Sequence, residues 1–189
     1  MSTFNYIILL LSSALLIGCT ANRKTVFLHP EYDFGAIERI AVVNFENLSS
    51  EQGVAGYVTR LFITELFAAQ AFDVVEPGEV AKVLRDIGQA RGGELDLAGM
   101  KRMSDSLGIQ AVIFGSVGEA GQSAGRTSAF NVVSLNARMV DCVTGNTVWS
   151  AAVSLGGPGS FSRMLGVGES SRSDTVLRAV RRLTRTLLN

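Results

Sequence analysis

The residue whose type and setting promise the most definite chemistry is Cys19. It closes the segment Leu16-Ile17-Gly18-Cys19, at the end of an apolar run that begins at Ile7. A short apolar run ending in a small residue and then cysteine is the lipobox pattern of bacterial lipoprotein signals. The chemistry is covalent: the Cys19 thiol is diacylated, the bond between Gly18 and Cys19 is cut, and the mature chain starts at Cys19. The apolar run spans about ten residues, the length of a signal and too short for a stable membrane span. Two or three acyl chains such as palmitate on one residue hold a protein firmly at a bilayer, at about 0.8 kcal/mol per buried CH₂. Residues 1–6 carry no Lys or Arg, so the competing reading is an uncleaved anchor helix with a chance Gly-Cys. Thr20 stands where an Asp would favour retention at the inner membrane, which leans the expectation towards the outer membrane.

Other chemistry is sparse. The sole histidine, His29, lies in the polar leader, away from any serine or cysteine partner. No metal-ligand spacing occurs, and no Gly-rich segment ends in Gly-Lys-Ser/Thr. Gly115-Ser116-Val117-Gly118 follows a strand but misses the dinucleotide fingerprint and leads into another strand. No catalytic residue, cofactor site or metal site is therefore expected. Asp33, Glu38, Glu46 and Glu51 cluster near the first apolar strand in sequence only. A hydrolase would need an unrecognised carboxylate site, with Asp33, Glu46 and Asp141 as its members. Cys142, the only cysteine left once Cys19 is acylated, reads as a small buried residue in a strand rather than a catalytic thiol.

Composition bounds the rest. The 189 residues carry 17 basic and 17 acidic side chains, a balance that argues against nucleic acid as a partner. Removing residues 1–18 leaves about 170, a size that favours one domain with a proper core. One remaining cysteine permits no intramolecular disulfide.

The elements that must position these residues follow from periodicity. Ala21 to Glu31 reads as a polar tether. Arg39 to Phe45 is a β-branched apolar run, the mark of a strand buried on both faces. Val54, Val58, Leu61, Phe62 and Leu66 repeat at helical spacing and predict a helix over 50–69, capped by Ser49 or Ser50. A short strand over 71–75 precedes a helix opened by Pro77. Asp96 starts a third helix that Gly108 ends. Ile109 to Val117 is a second continuous apolar strand, and Gly118 to Thr127 reads as a loop. Phe130 to Cys142 alternates strictly, with Val133, Leu135, Ala137 and Met139 on one face, as a half-exposed antiparallel strand does. Thr144-Gly145-Asn146 turns the chain into a returning strand over 147–154. A last helix starts near Ser173, a good N-cap. Its arginines, Arg178, Arg181, Arg182 and Arg185, form an outward face. That face is either simply solvated or meets anionic lipid or an acidic partner. The fold class is α/β: a mixed sheet flanked by helices, β-α-β-α-α-β, then an antiparallel hairpin and a C-terminal helix. Three segments are expected: a signal peptide over 1–18, a lipidated tether over 19–36 and an α/β domain over 37–189.

Three separated segments carry a family resemblance: Ile40 to Asn47, Leu107 to Val117 and Ala137 to Ser150. Together with the lipobox they resemble the periplasmic domain of the curli secretion lipoproteins, the CsgG family. The resemblance covers about Ile40 to Leu188. It implies a non-enzymatic outer-membrane lipoprotein facing the periplasm, a self-associating ring component of an envelope secretion or assembly apparatus, with other envelope proteins as partners. The channel of that family sends two hairpins through the membrane, each needing about 20 residues plus a turn. Residues 118–128 are too few, and 155–173 open with Gly156, Gly157, Pro158 and Gly159, which disfavours a spanning strand. No pore of its own is therefore expected. Residues 155–173 read as a mobile surface loop or as a segment that orders on a partner. The alternative function is a monomeric tethered lipoprotein that binds and regulates a cell-wall synthase or a flagellar structure.

Overall fold

Burial of the two continuous apolar runs sets the centre of the sheet. In the computed structural model, which describes residues 23–89, 95–124, 129–156 and 171–188, these runs lie side by side and parallel. In chain order the elements are β1 (Arg23–Leu28), a single 3-10 turn (Phe34–Ala36), β2 (Arg39–Val42), β3 (Glu46–Asn47), α1 (Val54–Ala69), β4 (Asp73–Val74), α2 (Pro77–Asp86), α3 (Leu97–Leu107), β5 (Ala111–Ala124), β6 (Ala129–Asp141), β7 (Thr147–Gly156) and α4 (Arg172–Leu188). The strand order across the sheet is β1-β7-β6-β5-β2-β4, with β3 paired to the middle of β5. The pairs β2–β4, β2–β5 and β3–β5 are parallel, whereas β5–β6, β6–β7 and β1–β7 are antiparallel. This is the expected mixed α/β architecture.

Alternation along each strand divides its side chains between two layers. On one face Ile40, Val42, Ile113, Leu135, Met139, Trp149 and Val153 meet Val58, Phe62 and Leu66 of α1 and Val176, Val180 and Leu183 of α4. On the other face Ala41, Val43, Val112 and Cys142 meet Val80 and Leu84 of α2 and Met103 of α3. Asp96 caps α3, accepting from the Gly99 N–H at 2.7 Å, and Gly108 ends that helix in the left-handed region.

Four expectations need correction. Residues 21–31 are not all tether: Arg23–Leu28 is β1, registered residue by residue on β7 from Arg23↔Ser154 to Leu28↔Trp149. The loop expected from Gly118 does not begin there, because the β5–β6 ladder continues past a bulge between Val117 and Glu119 as far as Ala124. Helix α1 starts at Val54 behind Gly53 at φ +75°, without a side-chain cap. Asn47 and Ser49 instead spend their side chains within the preceding loop, on the Glu51 carbonyl, the Ser49 N–H and the Glu51 N–H. Helix α4 is capped by Ser171, whose hydroxyl accepts from the Asp174 N–H at 3.2 Å, not by Ser173. The signal, Gly18 and Cys19 lie outside the described residues, as do 157–170 of the segment read as a loop or a partner-ordered element.

Candidate interaction surface

The carboxylates weighed for hydrolysis do not converge. Asp33 caps the 3-10 turn, accepting from the Gly35 N–H at 2.9 Å. Glu46 sits exposed on β3 opposite Ser116. Asp141 pairs with Ala111 at the far end of β5, five residues and about 16 Å of strand away from Ser116. Asp141 is occupied by its own turn: Oδ1 accepts from the Val143 N–H, the Thr144 N–H and the Thr144 hydroxyl at 3.1, 2.7 and 2.8 Å. Oδ2 accepts from the Tyr32 hydroxyl at 2.6 Å. Burial pushes the Asp141 carboxyl up, but the hydrogen bonds from Tyr32, Thr144 and Val143 outweigh it and hold the pKa below the ordinary value. The same contact, after burial, raises the Tyr32 phenol. Gly145 completes the turn at φ +73°. Cys142 is 1% exposed, and burial followed by the Asp141 charge pushes its thiol up to about 12. Asp33 and Asp141 hold turns, and Cys142 fills the core. Among the described residues no group of His, Cys, Asp and Glu is arranged to hold a metal ion.

What the fold leaves open is a surface. The helix pair α2–α3 covers one sheet face only as far as β5, with Phe114 half-buried at its margin. Beyond it the same face continues across β6, β7 and β1 without a described helix against it. The register aligns three rows there: Phe114, Arg138, Ser150 and Phe27; Ser116, Asn136, Ala152 and Thr25; Glu119, Ser134 and Ser154. Asn136, Ala152, Thr25 and Glu119 are exposed. The Arg138 guanidinium stacks 5.2 Å from the Phe114 ring centre, and Asn136 Nδ2 donates to the Ser116 hydroxyl at 2.8 Å. The strand alternation in β6 announces a polar face; which helices stop short of it is a tertiary fact that no local signal carries.

The rim of that surface is β1, an edge strand with apolar side chains turned both ways. Val26 is 39% exposed, Phe27 47% and Leu28 46%. An exposed apolar edge is a template for another strand or another apolar surface. On the helix side of β1 a groove of about 420 Å³ is lined by Lys24, Val26, Arg182, Arg185 and Thr186. A second, open cleft of about 580 Å³ lies at the β4 end, between Phe34, Glu38, Phe72 and Leu187. Among the described residues no helix is long and apolar enough to cross a membrane.

Comparison with known proteins places this architecture. The family model described as "Putative lipoprotein GNA1162-like" matches residues 37–163. The chain is similar in fold to the PelC dodecamer from Paraburkholderia phytofirmans, with 18% identity and a TM-score of 0.60 over 88% of this chain and 97% of that one. It is similar to lipoprotein GNA1162 from Neisseria meningitidis, with 23% identity and a TM-score of 0.52 over 68% and 90%. It also resembles the hypothetical protein CT253 from Chlamydia trachomatis, with 9% identity and a TM-score of 0.54 over 81% and 96%. No curated protein matches. Membership of the CsgG family, expected from three strand-and-turn segments, is corrected by the family match, and the curli secretion role falls with it. Those segments hold two neighbouring strands and a hairpin turn, and none of these is particular to one family.

Proposed function

The chain belongs to the GNA1162-like lipoprotein family, and we propose that it acts as a short-tethered envelope lipoprotein that binds a protein partner instead of catalysing a reaction. In this reading the signal over 1–18 is cut between Gly18 and Cys19, and Cys19 carries the acyl chains. The domain then stands on the periplasmic face of the outer membrane. The observation that carries the reading is the sheet face of β6, β7 and β1, which no described helix covers and an apolar edge strand borders. Its partner is an envelope protein presenting polar groups to Asn136, Ser134 and Arg138 and an apolar rim to Phe27. The domain is held close: only Thr20, Ala21 and Asn22 separate Cys19 from β1, at most about 14 Å of extended chain. A regulator so placed meets partners at the membrane, not across the cell wall.

A photo-crosslinking residue at Ala152, on the open face, tests this against one at Arg60, exposed on α1. The expected result is a discrete heterologous adduct from position 152 and none from position 60. No adduct from position 152 in cells would overturn the docking role.

A second reading rests on the β1 edge. Its outer side, which no described strand pairs with, and its apolar residues suit pairing with a second copy, and a protein of similar fold forms a dodecamer. Adducts from position 152 or from β1 that contain only this chain, with a native mass of several copies, would favour self-association over a separate partner.

A further inference from the structure

The groove on the helix side of β1 collects three cations. Lys24 comes from the edge strand, and Arg182 and Arg185 come from the C-terminal half of α4. Nearby arginines of the same helix are engaged: Arg172 with Glu51, Arg178 with Asp174 at 3.4 Å and Arg181 with Glu65 at 3.0 Å. Lys24, Arg182 and Arg185 have no ion pair among the described residues. The groove's lining holds no acidic side chain; its other members are Val26 and Thr186. Arg185 stands in the last turn, where it offsets the helix dipole, but that explains neither Arg182 nor Lys24.

We propose that this groove receives the phosphate of an anionic phospholipid in the membrane to which the chain is anchored. Three features point to a lipid rather than a soluble anion. The cations lie beside exposed apolar residues of β1, Val26 and Leu28, the pairing of basic and apolar side chains that suits a headgroup boundary. The groove has an apolar wall in Val26. The anchor position limits β1 to about 14 Å from Cys19, so the groove is delivered to the headgroup layer. This last step rests on acylation of Cys19. The headgroup contact would orient the domain, turning the α4 side of β1 to the bilayer and the opposite sheet face, which no described helix covers, away from it.

The test uses the mature acylated protein in nanodiscs of phosphatidylcholine alone or with added phosphatidylglycerol, read by amide hydrogen exchange. The expected result is slower exchange over 24–28 and 181–188 with the anionic lipid, reversed by salt. Inorganic phosphate added to the zwitterionic discs should not reproduce it. Lys24→Gln, Arg182→Gln and Arg185→Gln should each weaken the lipid dependence by about fivefold, with unfolding midpoints unchanged. Equal exchange in both lipids would overturn the proposal. Protection by inorganic phosphate alone would replace the lipid with a soluble anion and also overturn it. If intact mass shows no acyl chain, the anchoring premise fails separately. Flotation of the unacylated chain with phosphatidylglycerol vesicles then decides: binding lost in the three variants supports the groove, and no binding overturns it.

Discussion

The Tyr32 hydroxyl donates a 2.6 Å hydrogen bond to Asp141 Oδ2 across 109 residues of chain. It ties the segment after β1 to the turn that joins β6 and β7. The same carboxylate already accepts three bonds from that turn through Oδ1. One side chain therefore fixes both the hairpin turn and the route by which the N-terminal segment enters the fold.

This contact sets a pH dependence. The folded Asp141 pKa lies below its ordinary value, so the group's contribution is complete above about pH 5 and is lost as pH falls through the folded pKa. Asp141→Asn is expected to destabilise the protein by about 1–3 kcal/mol at pH 7 and to flatten the acid limb of stability. Urea unfolding at pH 7 and pH 3, followed by the emission of the sole tryptophan, the fully buried Trp149, checks both. A variant as acid-sensitive as the parent would remove Asp141 from the account.

Thr59 joins α1 to the chain between β2 and β3. Its buried hydroxyl accepts from the Phe45 N–H at 2.9 Å and donates to the Ala55 carbonyl at 2.8 Å. Thr59→Val keeps the shape but leaves the Phe45 N–H buried and unsatisfied, at a cost of about 1–3 kcal/mol. Thr59→Ser, which retains the hydroxyl, should recover most of the loss in the same urea titration.

Gly115 is required by packing. A Cβ there would lie 2.5 Å from ring carbons of Phe45, which is itself buried against Phe62 with ring centres 5.4 Å apart. Gly115→Ala should cost about 1–3 kcal/mol through overpacking. In the Phe45→Leu background the same change should cost measurably less, a coupling that a double-mutant cycle reads directly.

Cys142 should be silent in the native state. Its burial and raised pKa leave almost no accessible thiolate at pH 8. Iodoacetamide at that pH should label it only at the rate of unfolding. Rapid labelling of the native protein would mean that the β6 end opens far more readily than its packing allows.

Much of the fold is legible in the chain because its central elements are locally over-determined. Ile40–Val43 and Ala111–Val117 are apolar on both faces, Pro77 and Asp96 mark helix starts, and Asp141 with Gly145 encodes the hairpin turn. The edges are less legible because pairing, not pattern, makes them strands. No residue of Lys24–Leu28 is buried, so β1 carries no core signal and reads as tether. The extension of β5 past Gly118 and Gly121 exists because β6 runs alongside it. The polar face of β6 is visible in its alternation, but its openness depends on α2 and α3 ending their cover at β5. The CsgG resemblance arises for a related reason: the matching segments specify a strand, a strand and a turn, and none of these is particular to one family.

Everything proposed for the membrane side depends on how the chain begins. The most direct measurement is the intact mass of the protein extracted from membranes, with thiols counted after unfolding. The expected product is a chain that starts at Cys19, heavier by its acyl groups, with a single titratable thiol from Cys142. A chain that keeps residues 1–18, or one that shows two free thiols, would contradict it.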